Sequence, residues 1–279
     1  MPGATQVSYS HGTAPTPLIG ETIGANLQRI AAAHGGSDAL VDVPTGARWT
    51  YAELDADTDA VALGLAGLGI GKGDRVGIWA PNCAEWVLIQ YATAKIGAIL
   101  VNINPAYRSH ELGYVLAQAG VRLLVSAESF KTSDYRGMVD EVRGDLAGLE
   151  RVVYLGTPDW AELLAAGRAA LAGGSAELAR RAAGLAFDDP INIQYTSGTT
   201  GFPKGATLSH HNILNNGFFI GEGCGYTAAD RVCIPVPFYH CFGMVLGNLA
   251  CTTHGACIVI PAPGFDPAAT SSPQPAVPM

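Results

Sequence analysis

The feature that most constrains this chain is a regular alternation of short apolar runs with longer segments of helical spacing between residues 75 and 154. Runs such as "RVGIW" at 75–79 and "VRLLVS" at 121–126 are typical of buried strands, because they are short, apolar and bounded by turn residues. Strands separated by helices of this length run parallel, since each connection must cross back over the sheet. We therefore predict an α/β fold with largely parallel sheets flanked by helices. The other elements predicted here are helices at 84–96, 109–118 and about 135–146, and strands in "AILVNINP" and "RVVYL".

The residues on either side extend this pattern. Residues 22–34 have the apolar spacing of a helix, and a capping box of Thr50 and Glu53 predicts a second helix that runs to about Leu68. The Ala/Gly-rich stretch 161–185 is interpreted as a helix followed by a weakly structured connection. Further predicted elements are the strands "ALVDV", "ARWTY", "INIQY", "GATLSH", "RVCIPV" and "ACIVIP", a helix from about residue 211, and an apolar helical run at 244–251.

Composition excludes several classes of protein. With 48% hydrophobic and 14% charged residues, the 279-residue chain can fill a large core. Its net charge is −8, and no basic stripe points to a nucleic-acid partner. The N-terminal residues lack the features of a secretory signal and no apolar run is long enough for a membrane span, so we expect a cytoplasmic protein, either free or peripheral to a membrane. The six cysteines show no metal-ligand spacing and are expected to be small buried residues.

The stretch "YTSGTTGFPKG" at 195–205 carries the strongest chemical signal. Hydroxyl side chains and glycines that follow a strand can gather several N–H and O–H donors around an anion, and Lys204 adds a positive charge. The pattern differs from the Walker A loop, because Pro203 precedes the lysine and Gly205 stands where a Mg²⁺-binding hydroxyl is required. A nucleotide-hydrolysing P-loop protein is therefore the least favoured interpretation.

The order of these eleven residues resembles the phosphate-binding signature of the adenylate-forming, or AMP-binding, superfamily. "WTYAEL" at 49–54, "AKIGAILVNINPAYR" at 94–108 and "PVPFYHCFGM" at 235–244 resemble other motifs of that family, in the same order. "NPAYR" and "FYHCFGM" look most similar to fatty-acyl-CoA synthetases. The resemblance covers residues 22–267 and implies a partial AMP-binding domain, the incomplete N-terminal domain of the adenylate-forming fold. Residues 1–21 are then expected to be a loose leader and 268–279 a disordered tail outside the family.

The resemblance implies an acid–thiol ligase that uses ATP, Mg²⁺ and CoA and acts on a fatty acid or another carboxylate. It implies small-molecule substrates, namely ATP, a fatty acid and CoA, with no nucleic acid, and it leaves the oligomeric state open. His240 would lie at the wall between the acyl and CoA channels. The phosphate-binding residues implied are Thr196, Ser197, Gly198, Thr199, Thr200, Gly201 and Lys204, and the acyl-pocket residues are Phe238, Tyr239, Phe242, Gly243 and Met244.

Other residues of the chain admit a structural interpretation. His210 and His211 are expected to begin a helix, and Asp74 to fix a turn before a strand. A Cys241–His240 nucleophile is disfavoured, because adjacent side chains do not easily face each other.

The sequence also departs from the family. It contains no Thr-Glu pair for Mg²⁺, its two Gly-Asp pairs precede the loop, and Lys204 is the last of four lysines. The lysine-bearing C-terminal domain of the family is absent from this sequence, and no helix is predicted after "FDP" at 265–267. We therefore expect the chain to be inactive alone. The alternative is a non-catalytic remnant that binds a nucleotide or a partner.

Overall fold

The computed structural model describes residues 15–196 and 203–271. In chain order the elements of the first half are α1 (Ile23–His34), β1 (Asp38–Asp42), β2 (Ala47–Thr50), α2 (Tyr51–Gly67), β3 (Arg75–Trp79), α3 (Ala84–Ile96), β4 (Ile99–Asn102), α4 (Ser109–Ala119), β5 (Val121–Ser126), β6 (Ser129–Phe130), β7 (Ser133–Asp134) and α5 (Tyr135–Arg143). They are followed by β8 (Arg151–Tyr154), α6 (Pro158–Ala172), α7 (Ala176–Ala183), β9 (Pro190–Thr196), β10 (Lys204–Ser209), α8 (His210–Cys224), β11 (Arg231–Cys233), a π-helix (Phe242–Leu249), α9 (Ala250–Thr253), β12 (Cys257–Ile260) and α10 (Pro267–Ser271).

The larger sheet has six strands in the order β10-β9-β4-β3-β5-β8. Five of them are parallel, and β10 is added antiparallel to β9 at one edge. The predicted α/β fold with parallel sheets flanked by helices is confirmed. The connection from β3 to β4 leads to one side of β3, whereas the next connection returns to β5 on the other side. The winding of the sheet therefore reverses between the neighbouring strands β3 and β5, and ligands of such sheets bind at this point, beyond the carboxyl ends of the strands.

A smaller sheet has the order β11-β12-β1-β2, with β2 antiparallel at its edge. The two sheets share one core, in which α3 is buried along its whole length except for Glu85. A second core lies on the opposite face of the six-stranded sheet, under α4 and α5. Side chains of β5 alternate between them, since Leu123 and Val125 belong to the shared core and Leu124 to the second.

The capping signal in the sequence predicted the start of α2 correctly. The capping box of α2 is present, because the Thr50 hydroxyl accepts the N–H of Glu53 at 3.3 Å and the Glu53 carboxylate accepts the N–H of Thr50 at 2.8 Å. None of the helices within residues 15–196 and 203–271 combines the length and the apolar character needed to cross a membrane.

Three predictions of secondary structure were wrong. The stretch 161–185 forms two ordered helices, α6 and α7, because alanine is the strongest helix former and Gly174, at φ +113°, separates them. The short helix α10 follows Asp266, whose carboxylate accepts the N–H groups of Ala268 and Ala269. The apolar run near Met244 begins two residues earlier and is a π-helix before it continues as α9.

Candidate functional site

β9 and β10 form a hairpin that brings the two ends of the predicted phosphate loop together. Thr196, the last residue of β9, lies opposite Lys204, the first residue of β10, and its hydroxyl donates to the Lys204 carbonyl at 3.4 Å. Both residues are exposed at the carboxyl end of β9. The predicted residues between them, Ser197, Gly198, Thr199, Thr200 and Gly201, lie outside the described part of the chain.

A side chain of α4 contacts the end of the loop, directly before β10. The phenol of Tyr114 donates to the carbonyl of Pro203 at 3.3 Å, and Gln118 donates to the same phenol at 2.7 Å. Tyr195 lies nearby, and its burial, together with the neighbouring Tyr114 and Tyr107, raises its pKa to about 12. Tyr195 is therefore a neutral hydrogen-bonding group at physiological pH.

His240 lies in a tight turn before the π-helix and is exposed. Its Nδ1 accepts the N–H of Phe242 at 3.1 Å, so the neutral ring carries its proton on Nε2. The Cys241 sulfur nevertheless lies 3.7 Å from the same Nδ1, although adjacent side chains do not easily face each other, because the turn folds the imidazole back toward the backbone. The Nδ1 lone pair already accepts a backbone N–H, which leaves it a poor base for the thiol.

The predicted acyl-pocket residues do not surround one cavity in the described structure. Phe238 is buried against Trp86, with ring centroids 5.7 Å apart, whereas Phe242 is 54% exposed. Gly243 is buried, and a Cβ there would lie 2.4 Å from the carbonyl oxygen of Pro237. Met244 lies in the core and Tyr239 lines a cavity, and the acyl-pocket assignment remains a prediction.

A cavity of about 380 Å³ lies where the winding of the six-stranded sheet reverses. Its walls come from the residues after β3 and β4, from the β6–β7 turn and from the segments near 237–239 and 263–265. Arg108, Phe130, Lys131, Tyr239 and Phe265 supply its charge and its aromatic surface. A larger cleft of about 550 Å³ lies at the amino end of β8, but it contains none of the predicted site residues.

Three cations at this edge of the sheet lack carboxylate partners in the described part of the chain. Within residues 15–196 and 203–271, Arg108, Lys131 and Lys204 form no salt bridge. Arg108 instead donates to the Ser133 hydroxyl at 3.0 Å, and the Lys131 ammonium lies 5.4 Å from the centroid of the Phe130 ring. Cations left unpaired around a cavity are available to an anionic ligand.

Arg108 and Lys131 were not predicted from the sequence to be site residues. Lys131 has a left-handed backbone, at φ +54°, which places it at the tip of the β6–β7 turn. Arg108 belongs to the "NPAYR" segment, whose position after β4 was visible in the sequence. The signal that could have found them is strand order, because only strand order shows which loops border the reversal point.

The structural interpretations of other residues are confirmed. His210 begins α8 and is fully buried, and Asp74 accepts the N–H of Gly71 at 2.9 Å within a turn. The expectation that all cysteines are buried was wrong, since Cys224 and Cys241 are exposed.

Residues 27–272 match the family described as "AMP-binding enzyme". The chain is 38% identical over 279 residues to the medium-chain acyl-CoA ligase ACSF2, mitochondrial, of Danio rerio, a match that covers 93% of this chain and 46% of that protein. It is 40% identical over 276 residues to the acyl-CoA ligase sidI of Beauveria bassiana, with 96% and 47% covered.

Among solved structures, the fold resembles the inhibitor-bound N-terminal domain of FACL13 from Mycobacterium tuberculosis. The TM-score is 0.70 at 25% identity, and the match covers 88% of this chain and 58% of the other. The chain spans about half the length of the curated relatives that it matches.

Proposed function

This chain belongs to the family of AMP-binding enzymes, and on that premise we propose that it carries the phosphate-binding part of a carboxylate–CoA ligase acting on fatty acids. In this reaction a carboxylate attacks the α-phosphate of ATP and expels pyrophosphate, which gives an acyl-adenylate. The thiol of CoA then attacks the acyl carbon and expels AMP, which gives the thioester.

The hairpin of β9 and β10 carries this proposal. The hydroxyl of Thr196, the donors of 197–201 and the ammonium of Lys204 would hold the β- and γ-phosphates while negative charge grows on the leaving pyrophosphate. Charge-assisted hydrogen bonds of this kind are among the strongest that a protein makes. The pairing of Thr196 with Lys204 supports this role, because it delivers both ends of the loop to one point of the carboxyl edge.

The cavity at the reversal point suits CoA, the substrate of the second half-reaction. Arg108 and Lys131 could receive phosphate groups, and the rings of Phe130 and Phe265 could pack against a base or an apolar chain. Tyr239 lines this cavity, and His240 is the next residue in the chain. This supports a place for His240 at the wall between the acyl and CoA channels.

The described residues do not offer a protein cage for Mg²⁺. No group of three His, Cys, Asp or Glu side chains gathers within residues 15–196 and 203–271 in a geometry that could hold a metal. Mg²⁺ is often held mainly by substrate phosphates and water.

The test is Lys204→Ala in an otherwise intact enzyme that bears these residues, with Lys131→Ala, on the cavity beyond β5, as the matched control. Rates of ATP–pyrophosphate exchange and of thioester formation from a purified acyl-adenylate are measured separately. Lys204→Ala should slow exchange about a hundred- to a thousand-fold, the usual cost of removing one donor to a developing anion. Lys131→Ala should leave exchange unchanged and weaken CoA use.

The same assays separate the alternatives for the 279-residue chain by itself. Pyrophosphate binding that depends on Lys204, without exchange, indicates a non-catalytic nucleotide-binding protein. Exchange that is insensitive to Lys204→Ala contradicts the proposed clamp. Failure to bind either ATP or pyrophosphate contradicts both functions.

A further inference from the structure

A line of buried side-chain amides joins the strand that precedes the phosphate loop to the segment around His240. The Asn192 amide donates to the Asn102 side-chain oxygen at 2.9 Å. The Asn102 amide in turn donates to the Tyr239 carbonyl at 3.1 Å and to the Met244 sulfur at 3.3 Å. Three separate parts of the chain, β9, β4 and the segment 239–244, are thereby connected.

Gln194 brings a second contact to the same sulfur. It lies level with Asn102 in the sheet, two residues before the end of β9, and its amide nitrogen lies 3.8 Å from the Met244 sulfur. A thioether is a weak acceptor, and this contact is long. A small displacement of the end of β9 would therefore shorten it or break it.

The line continues from Met244 into the helices behind it. Gln90 of α3 donates to the Met244 carbonyl at 3.2 Å, and Asn248 donates to the Gln90 side-chain oxygen at 2.9 Å. Met244 and Asn248 both belong to the π-helix, a rare kind of helix that is frequently found at functional sites. Met244 is thus held by amides on both sides.

Packing alone gives a poor account of this arrangement. Buried amides cost free energy unless every group is bonded, yet the side-chain oxygens of Asn192 and Asn248 are buried and have no hydrogen-bond partner among the described residues. Leucine or methionine would fill the same space without unpaired oxygens. Two of the unpaired oxygens and the rare π-helix lie along the line that joins the loop-bearing strand to the His240 segment, and such costs are often found at functional sites.

We propose that Asn102 and Gln194 are positioning residues that couple occupancy of the phosphate loop to the placement of Met244 and Tyr239. This inference rests on the proposed function. When phosphate draws the end of β9 toward the ligand, the Gln194 amide moves relative to the Met244 sulfur, and Asn102 carries the displacement to the Tyr239 carbonyl. The wall beside His240 then responds to whether the first substrate is bound.

The test uses the whole chain labelled with ¹³C in its methionine methyl groups. The chain has four methionines, and loss of a signal in Met244→Leu assigns that of Met244. Titration with pyrophosphate should shift this signal in the parent chain. In Gln194→Leu the shift should vanish while pyrophosphate still binds. The matched control Gln28→Leu, on the exposed face of α1, should behave as the parent.

The outcomes distinguish this inference from the function on which it rests. A Met244 shift that persists in Gln194→Leu overturns the coupling. Pyrophosphate binding that leaves the Met244 signal of the parent unmoved also overturns it, while the phosphate clamp stands. No binding at all overturns the clamp. If Gln194→Leu does not fold, Gln194→Asn withdraws the amide from the sulfur and allows the same comparison.

Discussion

Acid should destabilise this protein through one buried histidine, His210. Its Nδ1 accepts the N–H of Ile23 at 3.1 Å, which fixes the start of α1 against α8. The neutral ring therefore carries its proton on Nε2, a buried atom for which the described part of the chain supplies no hydrogen-bond partner. Burial lowers the pKa of His210 from 6.5 to about 4, while Asp189 raises it slightly and Lys72 lowers it.

The size of the effect follows from this pKa difference. The folded pKa lies below the unfolded value, so as pH falls the unfolded chain takes up the proton first. The contribution of neutral His210 to the free energy of unfolding is complete above about pH 6.5 and is lost as pH falls toward about 4. At about 1.4 kcal/mol for each pKa unit, the full loss is about 3 kcal/mol, and about 2 kcal/mol is gone at pH 5.

Urea unfolding at pH 7 and pH 5 measures this directly. His210→Asn keeps an oxygen acceptor near the position of Nδ1 but cannot take up a proton in this range. The parent chain should lose about 2 kcal/mol more free energy of unfolding than His210→Asn over this interval. His110→Asn, an exposed control on α4, should follow the parent. Equal losses in the parent and in His210→Asn would refute the reasoning.

Two further predictions concern packing and helix ends. Gly167→Ala should destabilise the chain by about 3 kcal/mol, the upper end of the cost of overpacking, because its Cβ would lie 1.7 Å from the carbonyl oxygen of Ala60 in α2. Gly67→Ala, where a Cβ meets open space, should be neutral or stabilising in the same urea unfolding assay. Thr50→Ala should cost about 1 kcal/mol by removing the cap of α2, and an unchanged unfolding midpoint would argue against the capping box seen with Glu53.

Local chemistry made most elements predictable from the sequence. The boundaries of β3 and α3 were predicted to the residue, because an apolar strand, a turn and a capped helix follow one another within a few positions. The two strands that flank the phosphate loop were predicted for the same reason. Where local signals competed, prediction failed, as in 161–185, where glycines masked the helical preference of alanine.

The family signature also lies in the sequence, because the "YTSGTTGFPKG" order is contiguous. The sequence by itself thus determined the class of fold, the position of the loop in the chain and the chemistry that the loop suggests. It identified His240 and the residues around it only as neighbours in the chain.

Only the tertiary structure decided which of these residues meet. Strand order set the reversal point and hence the cavity that unites Arg108 with Lys131 and Tyr239. The contact between Asn102 and Met244 spans 142 residues of chain, and the one between His210 and Ile23 spans 187. Such pairs leave no local signal in the sequence. Local preferences decide where each strand or helix begins and ends, whereas the packing of whole sheets and helices decides which elements become neighbours.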